Sequence, residues 1–212
     1  MQKQSLHRKR TLVTGGAGFI GSHLVEALVQ HGATVLVLDN LSTGNIKNLE
    51  TVKESISLLQ GSITDFETCL HATKDIELIF HLAAQVSVPE SCEKPYHCYQ
   101  TNVTGTYNLL EAARRNNAKR LIFSSSCAVY GQQQKPLSED DPCTPASPYG
   151  SSKLLGELLC RDYTTYFNLS TVTLRYFNVY GARQSTTGAY SSAMANFRQK
   201  MSHNEPISIF GD

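Results

Sequence analysis

The chain has 212 residues, 41% hydrophobic and 17% charged, which is enough for one domain with a sizeable core or for one domain and part of a second. Because the net charge is only +1, the composition gives no electrostatic footprint for nucleic acid, and we expect no such partner. The sequence contains no signal-peptide core and no apolar run of about 18 residues, so we expect a cytoplasmic protein with no membrane span.

The cysteines give no sign of a metal site or a disulfide framework. None of the six forms a C-x-x-C pair, and no histidine cluster has the spacing of zinc ligands. Reduced thiols in a cytoplasmic protein are the simplest interpretation. A metal or redox role for Cys92, His97 and Cys98 is the alternative, but an accidental grouping is favoured. We therefore predict no metal site.

A buried strand and a glycine-rich turn come first along the chain. The apolar run Thr11–Val13 precedes Gly15, Gly18 and Gly21, after which an amphipathic helix extends to Gln30. This order is typical of a dinucleotide-binding fingerprint. There the first glycine permits a tight turn, the second lets backbone N–H groups approach a pyrophosphate, and the third lets the helix pack closely. An ordinary glycine turn of an α/β protein is the alternative.

An acidic residue ends the next predicted strand. The strand Thr34–Leu38 leads to Asp39, which lies 18 residues beyond Gly21. An acidic side chain at about this distance binds the ribose hydroxyls of adenosine in dinucleotide sites. Because its charge would repel a 2′-phosphate, the sequence favours NAD over NADP. The register of strand, glycines, helix, strand and acid favours this site over an ordinary glycine turn.

Strands and helices alternate along the rest of the chain. His81, in the predicted strand Ile76–Leu82, is interpreted as a structural core residue. The further predicted elements are a weak helix Asn48–Lys53, a strand Ile56–Leu59, a short helix capped by Thr64 or Asp65, a strand Ile76–Leu82, a loop Gln85–Pro95, a helix Tyr96–Asn117, a strand Lys119–Phe123, a loop Gly131–Pro148, a helix Tyr149–Phe167, a strand Ser170–Tyr176, a helix Ser191–Met201 and a strand Ile207–Phe210. This alternation predicts an α/β fold with a parallel sheet that is doubly wound, with helices on both faces.

Tyr149 and Lys153 form the second chemical signal, because residues four apart share one face of a helix. An ammonium beside the phenol favours the phenolate and lowers the pKa of the tyrosine, which makes Tyr149 a candidate general base. Lys153 can also hydrogen-bond a nicotinamide ribose. Ser126, in the serine run after the strand Lys119–Phe123, is the candidate that binds the substrate hydroxyl. An ordinary core or surface tyrosine is the alternative for Tyr149.

Seven motifs then stand together along the chain. They are TGGAGFIG at 14–21, DN at 39–40, HLAA at 81–84, TNVTGT at 101–106, SSSCAVYG at 124–131, YGSSK at 149–153 and LRYFNVYG at 174–181. Over essentially the whole chain they resemble the extended short-chain dehydrogenase/reductase family, and within it the NAD-dependent nucleotide-sugar epimerases and dehydratases. The resemblance implies a Rossmann fold, NAD as cofactor and a nucleotide-sugar substrate, with a UDP-hexose favoured.

The resemblance also assigns residues to the cofactor and the substrate. For the cofactor it implies contacts with the pyrophosphate, the adenosine and the nicotinamide by Gly15, Gly18, Phe19, Ile20, Gly21, Asp39, Asn40, Ser62, Ile63, Leu82, Ala83, Ala84, Gln85, Asn102, Tyr149, Lys153 and Phe177. Ser126, Tyr149 and Lys153 are implied to be catalytic, and Ser126 and Asn178 to bind the substrate. Many relatives have Asp at the position of Ser62, so the contact with adenine is expected to be weaker or water-mediated.

The residues after Ser126 help to choose among the reactions of this family. Its sugar-nucleotide 4,6-dehydratases usually carry Thr-Asp-Glu there, whereas this chain has Ser126, Cys127 and Ala128, which cannot replace an acid and a base. The resemblance therefore favours epimerisation at C4. In that reaction Tyr149 takes the proton of the C4 hydroxyl while hydride passes to NAD, the 4-keto sugar rotates, and hydride returns to its other face.

Several alternatives stay open. A dehydratase, a reductase or a decarboxylase of the same superfamily is one, although the stretch RYFNVYGARQ at 175–184 is closer to 4-epimerases than to decarboxylases. A non-catalytic NAD-binding remnant is another. UDP-glucose, UDP-N-acetylglucosamine and UDP-glucuronate are not distinguished as substrates.

The resemblance also implies a domain organisation and an oligomeric state. Residues 1–178 are expected to form the NAD-binding domain, and residues 179–212 the start of an incomplete substrate-binding lobe. Because the family continues beyond this point, we expect either a fragment or a naturally shortened protein. The helices that correspond to Tyr96–Asn117 and Tyr149–Phe167 pair across a two-fold axis in relatives, so we expect a homodimer.

Overall fold

Six parallel strands form the centre of the fold in the computed structural model, which describes residues 6–133, 136–184, 197, 200–203 and 205–207. The strands are β1 (Arg10–Thr14), β2 (Thr34–Asp39), β3 (Ile56–Gln60), β4 (Leu78–His81), β5 (Arg120–Ser126) and β6 (Ser170–Tyr176). They pair in the order β3-β2-β1-β4-β5-β6, and every pair is parallel. This is the strand order of a doubly wound nucleotide-binding sheet, and it confirms the predicted fold class.

Helices cover both faces of the sheet. They are α1 (Phe19–Gln30), α2 (Phe66–Ala72), α3 (Val88–Glu93), α4 (Pro95–Tyr99), α5 (Gly105–Arg115) and α6 (Pro148–Phe167), with 3₁₀ helices at Ile46–Ser55 and Cys127–Tyr130 and a π-helical turn at Gln100–Thr104. Neighbouring strand residues face opposite sides. Thus Leu12 packs in a core with residues of α2, α5 and α6, whereas Val13 packs in a second core with residues of α1.

The prediction of a loop at Gln85–Pro95 is wrong, because helix α3 and the start of α4 occupy this segment. The side chain of Ser87 caps α3 by accepting a hydrogen bond from the Glu90 backbone N–H at 3.1 Å. Ser and Glu three residues apart are the signature of a capping box, so the helix start was visible in the sequence. The single helix predicted at Tyr96–Asn117 is interrupted by the π-helical turn, a feature often found at functional sites.

The chain divides into two units, residues 1–177 and 178–212. The helix predicted at Ser191–Met201 and the strand predicted at Ile207–Phe210 fall mostly outside the described residues. Within the described part of the chain, no helix combines the length and apolar character that a membrane span requires. The same residues contain no group of three or more His, Cys, Asp or Glu side chains that could hold a metal ion. All six cysteines are free thiols.

Candidate active site

The glycine turn after β1 is built from close backbone contacts. Gly15 has a φ of +70°, and a Cβ at this position would lie 2.7 Å from the backbone nitrogen of Ala83. A Cβ on Gly21 would overlap the carbonyl oxygen of Gly15. Gly15 therefore makes the tight turn, as predicted. Gly21 lets the first turn of α1 lie directly against the glycine turn.

The N-terminus of α1 is arranged to receive an anion. Gly18 is the N-cap residue and provides no side-chain cap, and the first turn of this fully described helix, which begins at Phe19 and Ile20, carries no acidic side chain. The first N–H groups and the positive end of the helix dipole therefore stay available to a phosphate. This fits the pyrophosphate of a dinucleotide.

Asp39 has a structural role that sequence reasoning missed. Its side chain is buried, and its two oxygens accept hydrogen bonds from the backbone N–H groups of Ala17 at 2.9 Å and Leu41 at 2.8 Å. The carboxylate thereby ties the glycine turn to the segment after β2. Because each carboxylate oxygen can accept more than one hydrogen bond, ribose hydroxyls can still bind it. Asn40 is exposed, and its Oδ1 accepts hydrogen bonds from the N–H and the hydroxyl of Ser42.

The two residues predicted near the adenine lie just after β3. Ser62 is half-buried, and its hydroxyl is hydrogen-bonded to the hydroxyl of Thr64 at 2.8 Å and accepts the Thr64 N–H at 3.2 Å. Ile63 is buried in the core that includes residues of α2 and α5. The Ser62 hydroxyl is thus used within its own turn, which agrees with a weak contact to adenine.

Asn102 joins the end of β4 to helix α6. Its Oδ1 accepts the N–H of Gln85 at 2.8 Å, and its Nδ2 donates to the Gln85 carbonyl and to the Ser152 hydroxyl, both at 2.9 Å. The Gln85 amide nitrogen donates to the Ser87 carbonyl and to Glu90, whereas its Oε1 is buried and accepts no hydrogen bond from the residues that the structure describes. A donor on a bound ligand would satisfy this oxygen.

The three residues before Gln85, which are also predicted to line the cofactor, are all partly exposed: Leu82, Ala83 and Ala84.

His81 lies in the core between β1 and α5. The Thr106 hydroxyl donates a hydrogen bond to the Asn102 carbonyl at 2.6 Å. Its oxygen therefore accepts a hydrogen bond from Nε2–H of His81, 2.9 Å away. Thr14, which accepts the Ala83 N–H, donates to Nδ1 of His81 at 2.8 Å. Burial, with a smaller effect of the nearby Lys153, lowers the histidine pKa to about 3. His81 is therefore neutral and structural, as predicted.

Helix α6 begins beside the turn that follows β5. Ser147 caps the helix by accepting the Gly150 N–H at 3.1 Å, and Pro148 follows at a position that suits proline. A Cβ on Gly150 would lie 2.6 Å from the Ala128 carbonyl oxygen, so only glycine allows this close approach. The approach brings Tyr149, which is half-buried, next to the segment after Ser126.

Lys153 is buried between α6 and β5. Its ammonium donates a hydrogen bond to the Ser124 carbonyl at 2.8 Å and lies 5.1 Å from the ring centre of Phe123 and 6.0 Å from that of Tyr149. Burial lowers the lysine pKa to about 8. The predicted neighbourhood of tyrosine and lysine is therefore present, at the end of the strand that carries Ser126.

Ser126 ends β5 and starts the next turn. Its hydroxyl oxygen accepts the Ala128 N–H at 3.1 Å and so caps the 3₁₀ helix Cys127–Tyr130. Since a hydroxyl is both a donor and an acceptor, its proton is still available to a substrate oxygen. Phe177 is half-exposed, with its ring centre 6.3 Å from that of Tyr130. Asn178 belongs to the second unit and has a φ of +39°.

Two glycine variants should separate folding from cofactor binding. Gly21→Ala is expected to destabilise the protein by about 1–3 kcal/mol, because the added Cβ would overlap backbone atoms that cannot rotate away. Gly18→Ala is the matched control, since a Cβ there meets, within the described part of the chain, only the Gly15 oxygen, at 3.2 Å. It should leave the melting temperature nearly unchanged but weaken NAD binding. Thermal unfolding and NAD titration measure both effects, and equal melting temperatures of the two variants would contradict the prediction.

Comparison with known proteins assigns the chain to a protein family. The sequence profile of the NAD dependent epimerase/dehydratase family matches residues 11–212. The chain is 40% identical over 208 residues to a UDP-glucose 4-epimerase of Mycolicibacterium smegmatis, covering 96% of this chain and 66% of that protein. It is 36% identical over 211 residues to a UDP-N-acetyl-alpha-D-glucosaminuronate decarboxylase of Bacillus cytotoxicus, covering 97% of this chain and 65% of that protein.

A solved structure shows the same similarity. The UDP-N-acetylglucosamine 4-epimerase from Methanobrevibacter ruminantium M1, in complex with UDP-N-acetylmuramic acid, matches with a TM-score of 0.93 at 38% identity, over 97% of this chain and 66% of that chain. This chain thus spans about two thirds of the length of these relatives. On the profile match, the sequence identity and the shared fold, the chain belongs to the NAD-dependent epimerase/dehydratase family.

Proposed function

We propose that the protein interconverts UDP-hexoses that differ in configuration at C4, with NAD as cofactor. The observation that carries this proposal is the placement of the buried Lys153 ammonium beside Tyr149 and at the end of the strand that carries Ser126. The 4-epimerases among the relatives support the choice of reaction. The residues Cys127 and Ala128 support it further, since neither replaces the acid–base pair of a dehydratase.

The residues around the glycine turn would hold the cofactor. The N-terminus of α1, with Gly18 and Gly21, would bind the pyrophosphate, Asp39 would bind the adenosine ribose, and the Gln85 Oε1 would accept a donor of the cofactor. NAD supplies the site that accepts and returns hydride. For the reaction itself, the protein supplies orientation and proton transfer.

The proton transfer follows from the side chains present. Ser126 donates a hydrogen bond to the substrate oxygen at C4 and orients it. Tyr149, with the Lys153 ammonium 6.0 Å from its ring centre, removes the proton of this hydroxyl and later returns it. Lys153 keeps two further N–H donors beyond the one that it gives to Ser124, and we assign one of them to the nicotinamide ribose. Asn178 and the rest of the unit 178–212 would begin the substrate-binding lobe.

The test is turnover by the protein as its gene encodes it, including any residues that flank this chain. Purified protein is incubated with NAD and, separately, with UDP-glucose, UDP-N-acetylglucosamine and UDP-glucuronate, and the products are identified by NMR. A C4 epimer supports the proposal and identifies the sugar. A UDP-pentose with carbon dioxide would make the protein a decarboxylase, and a 4-keto-6-deoxy sugar a dehydratase. NAD binding without any product would make it a non-catalytic NAD-binding protein.

We also propose a homodimer formed through α4, α5 and α6. These helices expose seven large apolar side chains, and exposed apolar clusters mark interaction sites. The exposed residues are Tyr96, Tyr99, Tyr107, Leu155, Leu158, Tyr166 and Phe167. The mass in solution should therefore correspond to two chains, and Leu158→Glu should reduce it to one. Leu58→Glu is the control, because Leu58 is equally exposed but lies on β3. A monomeric wild-type protein would refute the proposal.

A further inference from the structure

An arginine–glutamate pair that the reaction does not use connects α6 to the sheet. Arg175 of β6 donates to Glu157 of α6 from Nη2 at 2.8 Å and from Nε at 3.0 Å, and both side chains are largely buried. Two parallel hydrogen bonds between a guanidinium and a carboxylate fix direction as well as distance. The paired carboxylate raises the pKa of Arg175, so its guanidinium stays charged.

Three further contacts extend this pair. The Ser125 hydroxyl donates to Glu157 at 2.5 Å, and Nη1 of Arg175 donates to the Tyr130 hydroxyl at 2.7 Å and to the Glu139 carbonyl at 3.0 Å. The guanidinium also lies 4.7 Å from the ring centre of Tyr130. One ion pair therefore joins β5, β6, α6, the 3₁₀ helix after β5 and the loop that follows it. We call this set of five residues the Glu157 clamp.

The position of the clamp relates it to the candidate catalytic residues. Ser125 directly precedes Ser126, and it is the register partner of Arg175 in the sheet. Glu157 lies one helical turn after Lys153, which itself lies one turn after Tyr149. The clamp thus holds α6 to β5 at the point where Tyr149 and Lys153 must meet Ser126.

We propose that Glu157 and Arg175 are positioning residues that fix α6 against the end of β5 and thereby set the geometry of Tyr149 and Lys153 relative to Ser126. The inference rests on the proposed function, because it assigns the clamp a role in the reaction of these three residues. A buried ion pair is weak evidence for stability as such, since desolvation offsets most of its attraction. The clamp, however, connects five segments at the active-site end of the fold. This is better explained by a need to hold the catalytic residues in a fixed geometry.

Arg175→Lys tests the proposal at constant charge. Lysine cannot form the bidentate contact, so α6 should gain freedom while the net charge stays the same. We expect kcat to fall about 10- to 100-fold, as expected for a displacement of about 1 Å at a reacting group, with KM and NAD affinity little changed. Ser125→Ala is the second variant, because it keeps the ion pair and removes only the bond to β5. It should lower kcat in the same direction by a smaller factor.

The chain offers a control in a second arginine–glutamate pair, which lies on α5 and contacts α6 through Tyr163. Arg114 donates two hydrogen bonds to Glu111, at 2.8 and 2.7 Å, and Glu111 accepts the hydroxyl of Tyr163 on α6. Tyr163 lies about 15 Å along the helix from Lys153. Arg114→Lys therefore removes the same kind of bidentate contact from a pair that holds α6 far from the catalytic residues, and it should leave kcat unchanged.

A readout that does not need turnover separates this proposal from the proposed function. The pKa of Lys153 is followed by NMR of lysine side chains labelled at Cε and assigned with Lys153→Gln. The groups facing the ammonium are the Ser124 carbonyl, the rings of Phe123 and Tyr149, the neutral His81 and the thiols of two cysteines, Cys98 and Cys160. Since none of them changes in Arg175→Lys, a rise of the lysine pKa from about 8 towards 10.5 reports a looser packing of α6.

The outcomes decide between the possibilities. A lower kcat and a raised Lys153 pKa in Arg175→Lys, with neither change in Arg114→Lys, support the proposal. If the wild-type protein shows no turnover but the lysine pKa still responds to Arg175→Lys alone, the positioning stands and the proposed function fails. If the kcat and the Lys153 pKa of Arg175→Lys equal those of Arg114→Lys, the role of the clamp is only structural. If Arg175→Lys fails to fold, an unchanged kcat and lysine pKa in Ser125→Ala overturn the proposal.

Discussion

Tyr149→Phe should lower kcat for the UDP-hexose by about 10²–10⁴-fold, the usual contribution of a positioned general acid–base group. The ring and its packing are retained, and only the hydroxyl that exchanges the proton is lost. NAD affinity should stay within a small factor of wild type, because the pyrophosphate and the adenosine are bound by the glycine turn and Asp39. The measurement is the rate of epimer formation at saturating sugar nucleotide, together with an NAD titration.

The same helix provides the control for this variant. Tyr166 lies on α6 and is 74% exposed, so Tyr166→Phe removes a phenol hydroxyl without touching the site. It should leave kcat unchanged. Equal rates for wild type, Tyr149→Phe and Tyr166→Phe would remove Tyr149 from the mechanism.

Lys153→Met should give a protein that is more stable at neutral pH and inactive. Because burial lowers the pKa of Lys153 from 10.5 to about 8, keeping the side chain charged at pH 7 costs about 3 kcal/mol of folding free energy. Methionine removes this cost but leaves the Ser124 carbonyl without its donor, a loss of about 1 kcal/mol. The net expectation is a gain of about 2 kcal/mol at the expense of turnover, a trade-off common at active sites.

The pH dependence identifies the source of this gain. Between about pH 8 and 10.5, the unfolded chain still holds the lysine proton that the folded chain has lost, so this group makes the wild type more stable as the pH rises. The stability advantage of Lys153→Met at neutral pH should therefore shrink over this interval. Urea unfolding at several pH values measures it, with the exposed Lys74→Met as the control. An advantage that does not vary with pH would contradict the assignment.

The sequence predicted those parts of the molecule that depend on local pattern. Thr11–Val13, the glycine turn and Tyr149 with Lys153 are short-range signals, and the structure has the corresponding elements where they were predicted. Helix α3 was missed, although Ser87 and Glu90 carry a capping signal, because prolines and polar residues favoured a loop. The signal was present and was outweighed by composition.

Other features could not be predicted, since they depend on partners that only the fold brings together. The bond between Asp39 and the backbone of Ala17 joins residues 22 positions apart, and that between Glu157 and Arg175 joins residues 18 positions apart on different elements. Neither leaves a periodic pattern in the sequence. A charged residue that ends a strand indicates a site, but the backbone group that it binds becomes known only from the sheet order.

The hydrogen-bonded chain through His81 has a consequence for sequence change within this fold. Each proton in it has one assigned acceptor, from the Ala83 N–H through Thr14, His81 and Thr106 to the Asn102 carbonyl. Loss of either threonine hydroxyl leaves one ring nitrogen of a buried histidine without a partner, and loss of the histidine removes one hydrogen bond from each of the two hydroxyls. Positions 14, 81 and 106 are therefore expected to change together in natural variants, through double or triple replacements, rather than one at a time.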